Sequence, residues 1–219
     1  MKINQKTLSS LLLAVFFLFI VVLAGSSTPL DALFFGHEDE TCTTGEKAPI
    51  SFLKGDSCSP ARFDHLTETI RQLRRGISSR QATELAKYIW LAGDRFNCEP
   101  TLIAALIQVE SSFFSQATSH MGAVGLMQLR PFVARELARR LETSWSGIQT
   151  LHDPEINILM GTCYLAALRH DFADLATALV AYNYGPSYVR RRLRRGLRLP
   201  TRYPTKIISL YQTFEKNRS

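Results

Sequence analysis

No segment of the 219-residue chain alternates apolar and polar residues convincingly with the period of two that marks a half-buried strand, and no internal repeat is visible. What remains is an all-α reading. With 12 Gly and 9 Pro the chain is neither collagen-like nor of low complexity. It has no C-x₂-C pair, and its five His are scattered without ligand spacing, so no zinc site is expected. Acidic residues are in short supply: 19 Asp and Glu stand against 26 Lys and Arg, giving a net charge of +7. That balance favours an anionic partner, which composition alone leaves open as nucleic acid, anionic lipid or an acidic polymer. With 46% apolar and 21% charged residues, there is enough material for a real core in one or two domains.

Polar residues are missing altogether from Leu11 to Ala24, a run that follows Lys2 and Lys6. A basic flank and a short apolar core describe an export signal, and 14 residues fall below the roughly 20 that span a bilayer. Val22-Leu23-Ala24 places small residues before Gly25, so cleavage after Ala24 is favoured over retention as an anchor, and the absence of Cys after Ala24-Gly25 argues against a lipoprotein signal. Export sets nucleic acid aside as a partner. It also suits the four cysteines, Cys42, Cys58, Cys98 and Cys163, as disulfide candidates. Cys42 and Cys58 could close a short loop. Cys98 and Cys163, each beside an apolar helical pattern, could pair or stay as buried thiols.

Residues 25–58 mix Ser, Thr, Gly, Pro and acids without a period and read as a linker, which together with a first helix makes an N-terminal extension over 25–78. Ser59-Pro60 opens that helix, with Phe63, Leu66, Ile70 and Leu73 on one face and Gly76 to stop it. Ser79 caps a second helix carrying Ala82, Leu85, Ile89 and Trp90, and Pro100 opens a third with Leu102, Ala105, Leu106 and Val109. Further helices fit 131–142, 153–169, 171–183, 186–195 and 203–216. The expectation is an all-α domain of short helices over 79–217, preceded by a signal or anchor at 1–24 and a linker.

Three segments carry chemistry. Glu110 ends the apolar helix from Pro100, behind Ile103, Leu106 and Ile107 and before Phe113 and Phe114. A helix C-terminus and apolar neighbours both disfavour a carboxylate, so its pKa should rise toward the range of a general acid. Taken alone, a Glu at a helix end is more often solvated and idle. Next, Gly122 and Gly125 allow a tight backbone path, Met127 an adaptable apolar contact and Gln128 a two-way amide. Finally, Ala181-Tyr182-Asn183-Tyr184-Gly185-Pro186 ends a helix; Gly185 and Pro186 suit simple punctuation, while Tyr and Asn suit a carbohydrate wall.

In this order the three segments resemble the catalytic domain of the soluble lytic murein transglycosylase (SLT) family, which has a goose-type lysozyme-like α fold. The resemblance rests on Glu110-Ser111 with Phe113, on Gly122 to Leu129 with Pro131, on Ala181 to Pro186, and on a connecting element with Asp153-Pro154, Asn157, Ile158, Gly161, Tyr164 and Leu165. It covers about 85–205. Tyr184 stands where Ala is usual, and the tail around Pro204-Thr205-Lys206-Ile207-Ile208 lacks the usual Glu before Thr205 and Tyr at 208.

The resemblance implies cleavage of the β-1,4 bond between N-acetylmuramic acid and N-acetylglucosamine, with no metal or cofactor. Neither the second nor the third segment contains Asp or Glu, which suits a substrate-assisted route rather than a carboxylate pair. By the resemblance Glu110 is the acid and then the base, Tyr182 positions it, and Ser111, Gly125, Met127, Gln128 and Asn183 line the sugar groove. The partner would be peptidoglycan glycan strands, in the periplasm or cell envelope, for a monomeric enzyme. A hydrolytic lysozyme of the same fold and a non-catalytic wall-binding protein are the alternatives. The dense basic stretch Arg190, Arg191, Arg192, Arg194, Arg195, Arg198, Arg202 and Lys206 reads either as a solvated face or as a surface for anionic wall polymer or membrane headgroups.

Overall fold

Helix starts in this chain are written in proline and in short polar caps. The computed structural model of the chain describes residues 59–172 and 174–217. The expected signal over 1–24, the linker over 25–58 and the disulfide candidates Cys42 and Cys58 lie outside these residues. Eight α-helices are present among them: α1 (Pro60–Leu73), α2 (Ser79–Arg95), α3 (Pro100–Ser111), α4 (Pro131–Arg140), α5 (Pro154–Asp171), α6 (Leu175–Tyr184), α7 (Pro186–Arg194) and α8 (Arg202–Lys216), with a 3₁₀ turn at Ile148–His152 before α5. Proline opens α1, α3, α4, α5 and α7, where its fixed φ is already helical and its missing N–H is not needed. Side chains cap α2 and α6: Ser78, not the expected Ser79, caps α2 in a reciprocal box with Gln81, and the Asp174 carboxylate accepts from Thr177 N at 2.8 Å to start α6. No strand forms among the described residues. Two isolated antiparallel bridges, Thr118 with Val124 and Val124 with Leu129, tie up the segment between α3 and α4.

α3 is the centre of the core. Thr101 to Ile107 are seven consecutive buried residues, the mark of a helix wrapped on every side rather than laid on a surface. α6 is similar, with Ala178 to Tyr182 all buried. α8 packs along both, α2 packs against α1 and α5, and α5 against α6. Two hydrogen bonds show that α8 runs antiparallel to α3. At one end the Thr101 hydroxyl donates to Glu215 Oε1 at 2.6 Å; at the other, the Tyr203 hydroxyl donates to Glu110 Oε1. The helix expected as an N-terminal extension shares this core: Leu66 and Ile70 of α1 are fully buried.

Cysteine use differs from one of the two pairings considered above. Cys163 is disulfide-bonded, whereas Cys98 is a free, buried thiol, so these two are not joined to each other. Arg169 Nη1 reaches Cys98 Sγ at 3.3 Å, but burial dominates and pushes the thiol pKa up.

Candidate active site

α3 ends in a way that leaves Glu110 little water. Ser112 and Phe113 both adopt left-handed backbone, with φ of 50° and 60°, so the chain turns sharply and returns the fully buried Phe113 ring to the core. Arg74, the residue just after α1, caps the turn, donating from Nη1 to Phe113 O at 2.6 Å. Glu110, one turn further in, is therefore walled by its own helix and by α8. Burial pushes its carboxyl up to about 7 from an ordinary 4.5, against the opposing effects of the Tyr203 hydrogen bond and the Lys206 charge. Glu136 on α4 shows the contrast. Hydrogen bonds from Arg139, with Arg140 assisting, hold that carboxyl below its usual value. A group that keeps its proton near neutrality and lies beside a hydroxyl that can stabilise its anion is equipped to give a proton and take one back.

The three sequence motifs meet at two peptide units, Leu126 and Met127. The Ser111 hydroxyl at the end of α3 donates to Leu126 O at 2.7 Å. The Tyr182 hydroxyl near the end of α6 donates to Met127 O at 2.8 Å. Asn157 of α5, wholly buried, accepts from Met127 N at 2.8 Å and donates to Val124 O at 3.1 Å and Leu151 O at 2.8 Å. Gly125 makes this convergence feasible. Its φ is +82°, and a Cβ there would sit 2.1 Å from Asn157 Nδ2 and 2.2 Å from Leu151 O.

The expected site residues thus divide by role. Met127 is fully buried, its side chain lodged where a Cβ on Gly161 would come within 2.4 Å of Sδ. It offers the site main chain rather than a thioether surface. Ser111 and Gly125 likewise act through the backbone they hold. Gln128, at φ 48°, spends its amide Nε2 on Gly125 O at 2.9 Å and Ala117 O at 3.2 Å. Asn183 is exposed at the end of α6 and free to meet a ligand. Tyr182 was expected to position Glu110. Instead its hydroxyl holds Met127 O, and its ring packs 5.3 Å from that of Tyr164. The phenol that bonds Glu110 is Tyr203, on the first turn of α8, 93 residues away and with no motif to announce it. The one available hint was an aromatic residue just past Leu199-Pro200 at a helix start.

A cavity of about 370 Å³ lies at the opposite, N-terminal end of α3, lined by Arg62, Trp90, Asn97, Cys98, Arg169 and Tyr211 among others, and does not include Glu110. Among the described residues no group of three or more His, Cys, Asp or Glu side chains is placed to hold a metal ion, and no helix is long and apolar enough to cross a membrane.

An all-α domain that closes helices around one protonatable carboxylate and a hydrogen-bonded glycine-containing loop is a lysozyme-like domain. The chain belongs to the transglycosylase SLT domain family, whose model matches residues 87–202. Among curated relatives it is 37% identical over 97 residues to a transglycosylase of Enterobacteria phage PRD1, covering 44% of this chain and 33% of that protein. It is 41% identical over 106 residues to membrane-bound lytic murein transglycosylase F of Desulfosudis oleivorans, covering 45% and 21%. It is 37% identical over 111 residues to membrane-bound lytic murein transglycosylase E of Buchnera aphidicola, covering 46% and 52%. The matched segments thus span between a fifth and about half of these relatives. Among solved structures, an inactive mutant of the lytic transglycosylase Slt from Pseudomonas aeruginosa superposes with a TM-score of 0.55 at 27% identity, over 60% of this chain and 24% of that one. Tyr203 falls immediately beyond the family match.

The raised carboxyl pKa has a consequence for stability. The unfolded chain releases the Glu110 proton near 4.5 and the folded chain only near 7. Between those values the unfolded state holds fewer protons, so stability falls as pH rises, and the full cost stands above pH 7. The shift corresponds to about 3 kcal/mol. Glu110→Gln carries no such cost. It should match the parent in urea denaturation near pH 4 and exceed it by about that amount at pH 8; equal stabilities at both pH values would show that the carboxylate is solvated.

Proposed function

We propose that this chain is a peptidoglycan lytic transglycosylase working in the cell envelope, and that it cuts the β-1,4 bond between N-acetylmuramic acid and N-acetylglucosamine to leave a 1,6-anhydro end. The observation that carries the reading is Glu110, a carboxyl held near pKa 7 with a phenol on its anionic oxygen. Family membership and relatives named as lytic murein transglycosylases support it. Cell-envelope work agrees with the membrane-bound relatives and with the apolar run behind Lys2 and Lys6.

In this mechanism Glu110 gives its proton to the glycosidic oxygen as the bond to C1 breaks. The substrate's own N-acetyl oxygen stabilises the cation at C1, the task that a second carboxylate performs in ordinary retaining enzymes. The Glu110 carboxylate then takes the proton of the muramyl 6-hydroxyl as O6 bonds to C1. The carboxyl is restored and no water is consumed. A pKa near neutrality suits both halves, since the group must be a competent acid first and a competent base second. Tyr203 is a positioning residue: its hydroxyl fixes the carboxylate and steadies the anion between the two steps. The Leu126–Met127 main chain, held from three helices, and the exposed Asn183 form the sugar-facing wall.

The test is mass spectrometry of muropeptides released from purified peptidoglycan. The parent should give anhydro ends. Reducing ends in their place would make the chain a hydrolase, and no release at all would make it a binding protein. Glu110→Gln, which keeps shape but cannot exchange the proton, should lose at least about 10²-fold in rate, while Glu136→Gln should stay near the parent.

The pH profile tests Tyr203. The acid step needs protonated Glu110, so activity should fall through about pH 7. Tyr203→Phe removes a bond that favours the anion, so Glu110 should hold its proton longer. The descending limb should then move upward by about one pH unit, the value of a hydrogen bond to a charged group, with a lower maximal rate. A limb that stays in place would leave Tyr203 with a packing role.

A further inference from the structure

The segment between α6 and α8 leaves the catalytic groove and comes back to it. Before it, Tyr182 is fastened to Met127 O; after it, Tyr203 is fastened to Glu110. Everything from Asn183 to Arg202 is therefore an excursion whose two ends are pinned at the candidate active site. From Leu175 to Phe214 the chain contains no Asp or Glu at all, while Arg190, Arg191, Arg192, Arg194, Arg195, Arg198, Arg202 and Lys206 fall within it. Arg190 is committed elsewhere, paired with Asp171. Arg191, Arg194, Arg195, Arg198 and Arg202 are exposed.

The start of the excursion is ordered as a stack. Tyr184 lies 5.0 Å from Tyr188, with the rings inclined by 21°, and Tyr184 remains 47% exposed. The guanidinium carbons of Arg191 and Arg192 lie 5.7 and 5.6 Å from the Tyr188 centroid. Arg192 also donates from Nε to Arg198 O at 2.8 Å, closing the turn after α7. A stacked arginine gives up little of its hydrogen-bonding edge, and that edge fits a carboxylate. An exposed tyrosine face beside Asn183 fits a sugar ring.

We propose that this rim is a second binding site, which takes the carboxylates of acidic peptide substituents carried by the glycan strand while Tyr184 meets the strand itself. The inference rests on the peptidoglycan reading above and adds to it the part of the polymer that is recognised. It favours substituted strand over a lipid surface because the cationic segment is anchored at both ends beside Glu110, where substrate must pass.

The experiment compares soluble glycan strands bearing peptide stems with stripped strands, from which an amidase has removed the stems and whose newly exposed lactyl carboxylates have been converted to amides. The full chain in detergent, as the non-cleaving Glu110→Gln variant, is titrated with fluorescently labelled strands of each kind. The rim is then neutralised by Arg191→Gln with Arg194→Gln and Arg195→Gln. Peptide-bearing strands should bind the parent rim about tenfold more tightly than stripped strands, the scale of a few charge-assisted contacts, and the triple substitution should abolish that difference without weakening stripped-strand binding. Tyr184→Ala should weaken both kinds of strand. Equal binding of the two strands by the parent rim, or an equal loss on both in the triple variant, overturns the proposal. So does a triple variant that keeps strand discrimination but loses binding to phosphatidylglycerol vesicles relative to phosphatidylcholine vesicles, which would assign the rim to lipid. Because binding is read without cleavage, the outcome is separate from that of the muropeptide digest.

Discussion

Desolvation of one carboxylate organises this molecule. Glu110 stands at the end of a helix with seven consecutive buried residues, and a charge there is disfavoured by burial and by the helix C-terminus alike. Such a group persists only if its surroundings hold it. α8 supplies the hold by lying antiparallel along α3 and delivering the Tyr203 hydroxyl to one end while Glu215 receives the Thr101 hydroxyl at the other. The phenol and the Lys206 charge both favour the anion. Neither outweighs the loss of water, so the pKa comes to rest near neutrality. A carboxylate fully compensated by arginine, as Glu136 is, keeps its charge and is of no use as an acid.

A second constraint keeps the loop between α3 and α4 in place. Its Leu126 and Met127 peptide units are held by Ser111 from α3, Asn157 from α5 and Tyr182 from α6. These partners come from the first and third motifs and the connecting element, and each makes a hydrogen bond to main chain of the second. That explains why motifs separated by tens of residues occur together: they are parts of one clamp. It also explains why small or buried residues appear among them. Gly125 makes room for Asn157 and Leu151 O, and Gly161 for Met127.

Much of this could be read from the chain. Helix starts were legible because proline and Asp or Ser caps act locally. The expected 153–169, 186–195 and 203–216 agree with α5, α7 and α8 to within a residue or two, and 171–183 starts too early because the Asp174 cap sets the start of α6. Glu110 was legible because its apolar neighbours are sequential. Tyr203 was not, because a hydrogen bond spanning 93 residues depends on how α8 is laid on α3, which no local pattern states. For the same reason the sequence does not state that the Tyr182 hydroxyl bonds Met127 O or that the Met127 side chain is buried. Motif membership marks a residue as belonging to the clamp without saying which end of the bond it makes.

The central claim, that Glu110 is a desolvated acid held by Tyr203, is open to direct titration. The ¹³C resonance of the Glu110 side-chain carboxyl, assigned by comparison with Glu110→Gln, can be followed from pH 3 to pH 9 by NMR. The account predicts a midpoint near 7. A midpoint near the ordinary 4.5 would mean a solvated carboxylate and would contradict it.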